Sequence, residues 1–372
     1  MQFIDLKTQY SKIKDLVDSK VLAVLESGAY IGGPEITELE EKLAEFSGVK
    51  HCLACSNGTD ALLIPLMAWD VKPGDAVFTT SFTFIATGEV AALRGATPVF
   101  VDIDPDTYNM CPDSLEKTIQ KVIKEGKLTP KVVIPVDLFG IAADYDRINE
   151  ISKKYNIKVL EDGAQSYGGT YKGRRTCSLA NAASTSFYPA KPLGAYGDAG
   201  ASFTNDDELI NIYKSIRVHG SGIDKYDNIR IGLNARMSTI QAAVLLAKLT
   251  IFDDEIISRD RIANNYHQLL KDKVKIPIVP EGYTSAWAQY TIQVESTEKR
   301  QEIFKRFSEN GIPYSVFYPI PLHKQTAYKD ICVVADDLSK SEIAAERVFS
   351  IPMHPYLEEK DQEKIASLIY SK

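Results

Sequence analysis

Short apolar runs alternate with helical patterns through the first two-thirds of the chain, and that alternation excludes most folds. HCLAC (51–55), AVFTT (76–80), PVFVDI (98–103), KVVIPV (131–136) and IKVLED (157–162) read as strands rich in β-branched residues. Between them, PEITELEEKLAEFS (34–47), TFIATGEVAALRG (83–95), CPDSLEKTIQKVIKEG (111–126) and DYDRINEISKKYN (144–156) carry apolar residues at helical spacing. Pro34 opens the first of these helices and Gly48 lies just past its end. A helix between consecutive strands is the crossover that parallel pairing requires. The expected class is therefore α/β, a mostly parallel central sheet flanked by helices. Near residue 240 the pattern changes. Residues 239–272 read as one long helical stretch, followed by a strand (289–295), a helix (298–311) and the Pro-rich turn YPIPLH (318–323). We expect a large α/β domain over 1–245 and a smaller C-terminal α+β domain over 246–372.

The 372 residues are enough to bury a core without disulfides or metals. Lys plus Arg number 43 against 50 Asp plus Glu, a net charge of -7, which argues against a general nucleic-acid binder. The start, MQFIDLKTQYSKIKD, lacks a basic stretch followed by an apolar one, and no run reaches the ~18 apolar residues of a membrane helix. The protein reads as cytoplasmic. Five cysteines in a chain this long do not suggest a disulfide framework. Cys52 and Cys55 form a C-x-x-C after His51, but no second ligand pair at zinc spacing accompanies them. HCLACS therefore reads as a buried strand with small thiol side chains, and no metal site is expected.

Ligands of open parallel sheets bind outside the carboxyl ends of the strands, and four segments can meet there. In CSNGTDALL, a strand ends, Gly58 permits a tight turn and a helix begins. Its free first-turn N–H groups suit a phosphate, with the Thr59 hydroxyl beside them. A plain N-cap by Ser56 or Asn57 is the alternative. In TSFTFIATGE, Phe82 or Phe84 can lie flat on a cofactor ring or pack into the core. In VLEDGAQSYGG, Glu161 and Asp162 end an apolar strand, and Gln165 can both donate and accept; a helix N-cap or a metal are the alternatives, though no His accompanies the acids. In STSFYPAKPLGAYGDAG, Ser186 precedes Lys191, Pro192 keeps that lysine out of helical geometry, and Gly194, Gly197 and Gly200 permit close backbone approach. A lysine in a partly desolvated turn has its ammonium disfavoured, which makes a nucleophilic amine accessible. A phosphate cradle, a flat aromatic, a carboxylate and such a lysine are the parts that pyridoxal 5'-phosphate requires. Dinucleotide binding fits less well: Gly220 and Gly222 are followed by Lys225 where a third glycine is wanted, and there is no P-loop.

Taken in order, DLKTQY (5–10), SGAYIGGPEITELE (27–40), NGTDAL (57–62), SFTFIAT (81–87), EDGAQS (161–166), SFYPAKPLGAYGDAG (186–200) and GLNARMSTIQAA (232–243) resemble the DegT-type sugar-nucleotide aminotransferases over essentially the whole chain. Those are pyridoxal-phosphate enzymes of the aspartate-aminotransferase fold, fold type I. The resemblance implies that Lys191 forms the Schiff base and carries protons, that Asp162 pairs with the pyridinium and that Gln165 bonds the phenolic oxygen. It further implies that Phe84 stacks on the ring and that Gly58, Thr59 and Ser186 hold the phosphate. Asn234 would reach the phosphate of the neighbouring subunit, placing the active site at a homodimer interface. Tyr30, Arg236, Phe317, Tyr318 and His323 would face substrate.

L-Glutamate is the implied amino donor and a keto sugar on a nucleotide the acceptor. RVHGSGIDKYDNIRIGLNARM, YPIPLHKQ and IPMHPYL resemble enzymes acting on UDP-2-acetamido-2-deoxy-3-oxo-glucuronate, which install a 3-amino group for bacterial surface polysaccharides such as lipopolysaccharide O-antigen. Many relatives have His-Tyr before the Pro-x-Pro turn where this chain has Phe317 and Tyr318, which leaves a dTDP-3-keto-6-deoxy sugar or a UDP-4-keto sugar as alternatives. Ala199 stands where relatives often have glycine or glutamate, which reads as a neutral packing change. Related dehydratases carry histidine at the lysine position, so Lys191 argues against that reaction. The full ligand set argues against a non-catalytic regulator.

Overall fold

A computed structural model describes residues 1–224 and 226–370; Lys225, which entered the dinucleotide reading, lies outside the described residues, as do Ser371 and Lys372 at the end of the expected small domain. The chain opens with α1 (Leu6–Ser27) and α2 (Pro34–Ser47), then β1 (His51–Cys55), α3 (Gly58–Ala68), β2 (Asp75–Thr80), α4 (Ile85–Leu93) and β3 (Thr97–Val101). There follow α5 (Pro112–Glu125), β4 (Thr129–Ile134), α6 (Tyr145–Lys154), β5 (Lys158–Asp162), the short strands β6 (Thr170–Tyr171) and β7 (Arg174–Arg175), then β8 (Ala182–Ser186) and β9 (Gly200–Thr204). The remainder is α7 (Asp207–Arg217), α8 (Thr239–Leu249), α9 (Phe252–Leu270), β10 (Tyr283–Thr284), β11 (Tyr290–Gln293), α10 (Thr297–Glu309), β12 (Val333–Val334), α11 (Ser339–Arg347), β13 (Val348–Ile351) and α12 (Glu359–Tyr370).

The central sheet runs in the order β1-β9-β8-β5-β4-β2-β3-β12. Neighbours are parallel except around β9, which is antiparallel to both β1 and β8. Strands β1, β8, β5, β4, β2 and β3 therefore all deliver their carboxyl ends to one edge. Strand β2 is buried along its whole length, as a strand covered on both faces must be. Strand β12, far along the chain, completes the sheet beside β3. A separate core spans Ile262 to Ile369 and packs α9, α10 and α12 around the β11–β13 pair.

The stretch expected as one helix over 239–272 is two helices. Helix α8 ends at Leu249, Thr250 Oγ1 donates back to the Ala247 carbonyl at 2.7 Å, and Ile251 leaves helical geometry. A threonine bonded back to its own helix competes with the backbone ladder. Asp253, Asp254 and Glu255 then supply the acidic first turn that favours a fresh N-terminus.

Cys52 and Cys55 belong to different cores on the two faces of β1, since three residues along a strand reverse the side-chain direction. Burial raises both thiols well above their ordinary range. One ion could not take both as ligands without rebuilding the strand.

Candidate active site

The turn after β1 begins the site. Asn57 caps α3: its Oδ1 accepts the Asp60 N–H at 2.8 Å and its carbonyl accepts that of Ala61 at 3.1 Å. The N–H groups of Gly58 and Thr59 precede these, among those a helix leaves without intrahelical acceptors. The N-cap and the anion pocket thus coexist. Gly200 pairs with Cys55 on one side and Ser186 on the other. A Cβ there would lie 2.4 Å from the Asn57 carbonyl oxygen, so only glycine lets the turn descend onto β9. Across it, a Cβ on Gly58 would stand 2.7 Å from Ser186 Cβ and 3.1 Å from Ser186 Oγ. First-turn N–H groups and the Ser186 hydroxyl therefore lie close together, donor chemistry that fits the phosphate of the cofactor expected there.

Between β8 and β9 the chain carries Lys191 on a loop folded back on itself. Lys191 N–H donates to the Tyr188 carbonyl at 2.8 Å, and a Cβ on Gly194 would meet the Pro189 carbonyl at 2.4 Å. The side chain is half-buried. Desolvation pulls its amine down to about 8, against a smaller opposing pull from the Asp162 carboxylate. A neutral amine is thus accessible near physiological pH, as attack on a carbonyl carbon requires.

The two acids at the end of β5 part company because successive strand residues face opposite ways. Asp162, 4% exposed, points toward α4, where Thr87 Oγ1 donates to its Oδ2 at 2.7 Å; the Ala164 N–H donates to Oδ1 at 3.2 Å. No helix follows, so Asp162 closes a turn and is not a helix N-cap. Burial raises its carboxyl, while Thr87, Ala164 and the Lys191 charge draw it down. Glu161 turns the other way and accepts the N–H groups of Cys177 and Leu179, the latter at 2.8 Å. It sits with Asp137, whose Oδ1 accepts from Ala143 N–H and Tyr145 OH and whose Oδ2 accepts from Ser166 Oγ. Among the described residues no cluster of three or more His, Cys, Asp or Glu side chains is arranged to hold a metal.

Gln165 bridges two parts of the chain: its Oε1 accepts the Phe139 N–H at 2.8 Å and its Nε2 donates to Tyr318 OH at 3.2 Å. Burial, and the charge of the Asp162 carboxylate, raise the Tyr318 phenol, which the Gln165 hydrogen bond opposes. Phe82 is buried in the core, whereas Phe84, 55% exposed as a residue, stands at the start of α4 with its ring 6.1 Å from the Tyr318 ring. Of the two phenylalanines, Phe84 is the one with a free face.

Residues 11–370 match the DegT/DnrJ/EryC1/StrS aminotransferase family. The chain belongs to this family. It is a pyridoxal-phosphate-dependent transaminase of the sugar-nucleotide class. It is 49% identical, over 96% of both chains, to the UDP-2-acetamido-2-deoxy-3-oxo-D-glucuronate aminotransferase of Pseudomonas aeruginosa. It is 37% identical to a dTDP-3-amino-3,6-dideoxy-alpha-D-galactopyranose transaminase of Aneurinibacillus thermoaerophilus, covering 99% of this chain and 98% of that one. The crystal structure of a DegT DnrJ EryC1 StrS aminotransferase from Brucella abortus superposes with a TM-score of 0.98 at 51% identity, each chain fully covered.

The other expected site residues of this aminotransferase lie in four places. Asn234 and Arg236 are exposed side by side, with Arg236 Nη2 donating to Asn234 Oδ1 at 2.7 Å. The Ser56 N–H donates to the Ala235 carbonyl, so this pair neighbours the turn that carries Gly58. Tyr30 is exposed too, and its carbonyl accepts the Thr239 N–H at the start of α8. Phe317 packs at 6.3 Å from Phe3 and at 5.7 Å from Tyr318. His323 has both ring nitrogens engaged: Nδ1 lies 2.6 Å from Ser81 Oγ and Nε2 lies 3.0 Å from Glu342 Oε1. Sequence reasoning missed Thr87, Phe139 and Asp137. Nothing in the spacing of a threonine inside a helix announces a partner on a distant strand.

Proposed function

We propose that this enzyme moves the amino group of L-glutamate to UDP-2-acetamido-2-deoxy-3-oxo-glucuronate, giving the 3-amino sugar nucleotide used for bacterial surface polysaccharides such as O-antigen. What supports the transaminase chemistry is the half-buried Lys191 amine, drawn down to about 8 by desolvation and within the electrostatic reach of the buried Asp162 at the carboxyl edge of the sheet. The choice of sugar rests on the 49% identical relative.

Bound pyridoxal phosphate supplies an electron sink for the pair released when the donor's Cα–H bond breaks. Asp162 would hold a proton on the pyridine nitrogen, and the Thr87 hydrogen bond favours the charged form of that carboxylate. Lys191 Nζ would attach the cofactor and, once displaced by the donor's amine, would take the proton from the donor's Cα and deliver it to the cofactor's carbon. Phe84 offers its exposed face to the ring, and Gln165 donates to the phenolic oxygen. Gly58, Thr59 and Ser186 bind the phosphate, and Asn234 of one subunit reaches the phosphate of the other in a homodimer. Tyr30, Arg236, Phe317, Tyr318 and His323 line the sugar side. The reading includes a cytoplasmic location and a division into a cofactor-binding domain (1–245) and a small domain (246–372); the separate core drawn from 262–316 and 349–369 supports the latter, while β12 between those parts pairs with β3 of the central sheet.

Phe317 favours one second reading. An apolar ring where many relatives carry histidine suits a less polar sugar, and a dTDP-3-keto-6-deoxy sugar is the alternative acceptor. Purified enzyme with glutamate and a panel of UDP- and dTDP-keto sugars tests both. Amination of the 3-oxo-glucuronate nucleotide is expected, and amination of a dTDP sugar alone would replace the first reading with the second. Unchanged turnover in Lys191→Ala would defeat both. Mixing Lys191→Ala with Asn234→Ala subunits should recover part of the activity if the site is shared across a dimer.

A further inference from the structure

Lys248 is 1% exposed, a rare setting for an ammonium. Its Nζ donates to the Gly194 carbonyl at 2.6 Å and stands 4.3 Å from the centre of the Tyr196 ring. Seven residues earlier on α8, Gln241 Oε1 accepts the Tyr196 N–H at 2.8 Å. A spacing of seven is two turns, so both side chains rise from one face of the helix. That face receives the loop three and five residues beyond Lys191. Within the loop, Ala195 N–H donates to the Phe187 carbonyl at 2.7 Å, and Gly194 is pressed against Pro189. The segment from Phe187 to Ala195 is thus closed on itself and fastened beneath at both Gly194 and Tyr196.

Burying an ammonium is costly, and an apolar side chain of similar volume stabilises such a site at least as well. The charge on Lys248 therefore needs a reason other than packing. The carbonyl and the aromatic face both favour a cation, as does the buried Glu255 carboxylate, while desolvation lowers the amine to about 8. Glu255 is itself held by Gln9 Nε2 and Tyr356 OH.

We propose that Lys248, together with Gln241, is a positioning residue for the reaction: by fixing Gly194 and Tyr196 the pair holds the Lys191 loop so that the Lys191 amine faces Asp162. The inference rests on the transaminase reading of Lys191, but its test begins without cofactor. Full-length wild type, Lys248→Met, Lys248→Arg and Gln241→Leu are prepared free of pyridoxal phosphate. Amide hydrogen exchange over 191–197 is followed by mass spectrometry, as is the pH dependence of Lys191 acetylation. In Lys248→Met, exchange at Ala195 and Tyr196 should rise about tenfold or more, the scale of one charge-assisted hydrogen bond. The midpoint for Lys191 acetylation should move up from about 8 as the loosened loop admits water. With cofactor restored, kcat should fall about tenfold with KM for glutamate within about twofold, the pattern of lost transition-state alignment. Lys248→Arg should recover most of each change. Gln241→Leu should shift exchange and acetylation the same way, and it decides the matter alone if Lys248→Met does not fold. Unchanged exchange and acetylation in a folded Lys248→Met, or in Gln241→Leu, would overturn the proposal. Failure of wild type to attach cofactor would overturn the transaminase reading alone, because the cofactor-free measurements still judge the loop.

Discussion

Thr87 Oγ1 donates to Asp162 Oδ2 at 2.7 Å, joining α4 to the end of β5 across 75 residues of sequence. The bond favours the charged carboxylate against the burial that raises its pKa. Thr87→Val keeps the shape and removes the donor. Asp162 should then protonate at a higher pH by roughly one unit, so activity should begin to fail earlier on acidification. The acid limb of kcat/KM against pH reads this directly; an unmoved limb would mean that Asp162 does not control it.

Lys191 has its amine lowered from 10.5 to about 8, chiefly by desolvation. A depressed lysine costs stability where the native ammonium must stay charged. That cost is whole below about 8 and disappears as pH rises toward the ordinary 10.5. Lys191→Met should therefore abolish transamination and, free of cofactor, be more stable than wild type at pH 6, with the difference shrinking by pH 10. Urea unfolding at several pH values checks this, and a difference independent of pH would contradict it.

Asp137 and Glu161 are fully buried together, and burial raises Asp137 to about 6. The native state keeps a proton that the unfolded chain releases between 3.8 and about 6, so this pair makes stability fall as pH rises through that window. Asp137→Asn can still accept from Ala143 N–H and Tyr145 OH through its amide oxygen. It should flatten that slope, as seen by denaturant midpoints between pH 4 and 6.

Gly58→Ala would place a methyl group 2.7 Å from Ser186 Cβ. The turn and the strand end must separate, which would displace the proposed phosphate donors. Affinity for pyridoxal phosphate should drop about tenfold or more, the scale at which small misplacements weaken a preorganised site. Adding Ser186→Gly relieves the clash without restoring the hydroxyl, so affinity should recover only in part. Spectrophotometric titration of the cofactor-free protein measures both.

The strands and most helices were legible because side-chain periodicity is a local property, visible within a few residues. The helix over 239–272 was misjudged as continuous for the same reason: apolar spacing runs on through the break, which the Ile251 backbone and the back-bond of Thr250 reveal. Glu161 and Asp162 were equivalent as letters. Which one faces α4 depends on the parity of β5, and parity is set by how the strand lies in the sheet.

The sequence by itself determined the layered α/β class, the glycines that allow close approach, and the non-helical backbone of the lysine that precedes a proline. Each of these is a local constraint on backbone conformation or hydrophobic pattern. Only the tertiary structure decided the partners. Thr87 reaches Asp162, Gln165 reaches Tyr318 over 153 residues, and Lys248 reaches Gly194 over 54. Such pairs form because a buried polar group must find a partner wherever packing places one, and packing brings together residues that no spacing in the chain connects.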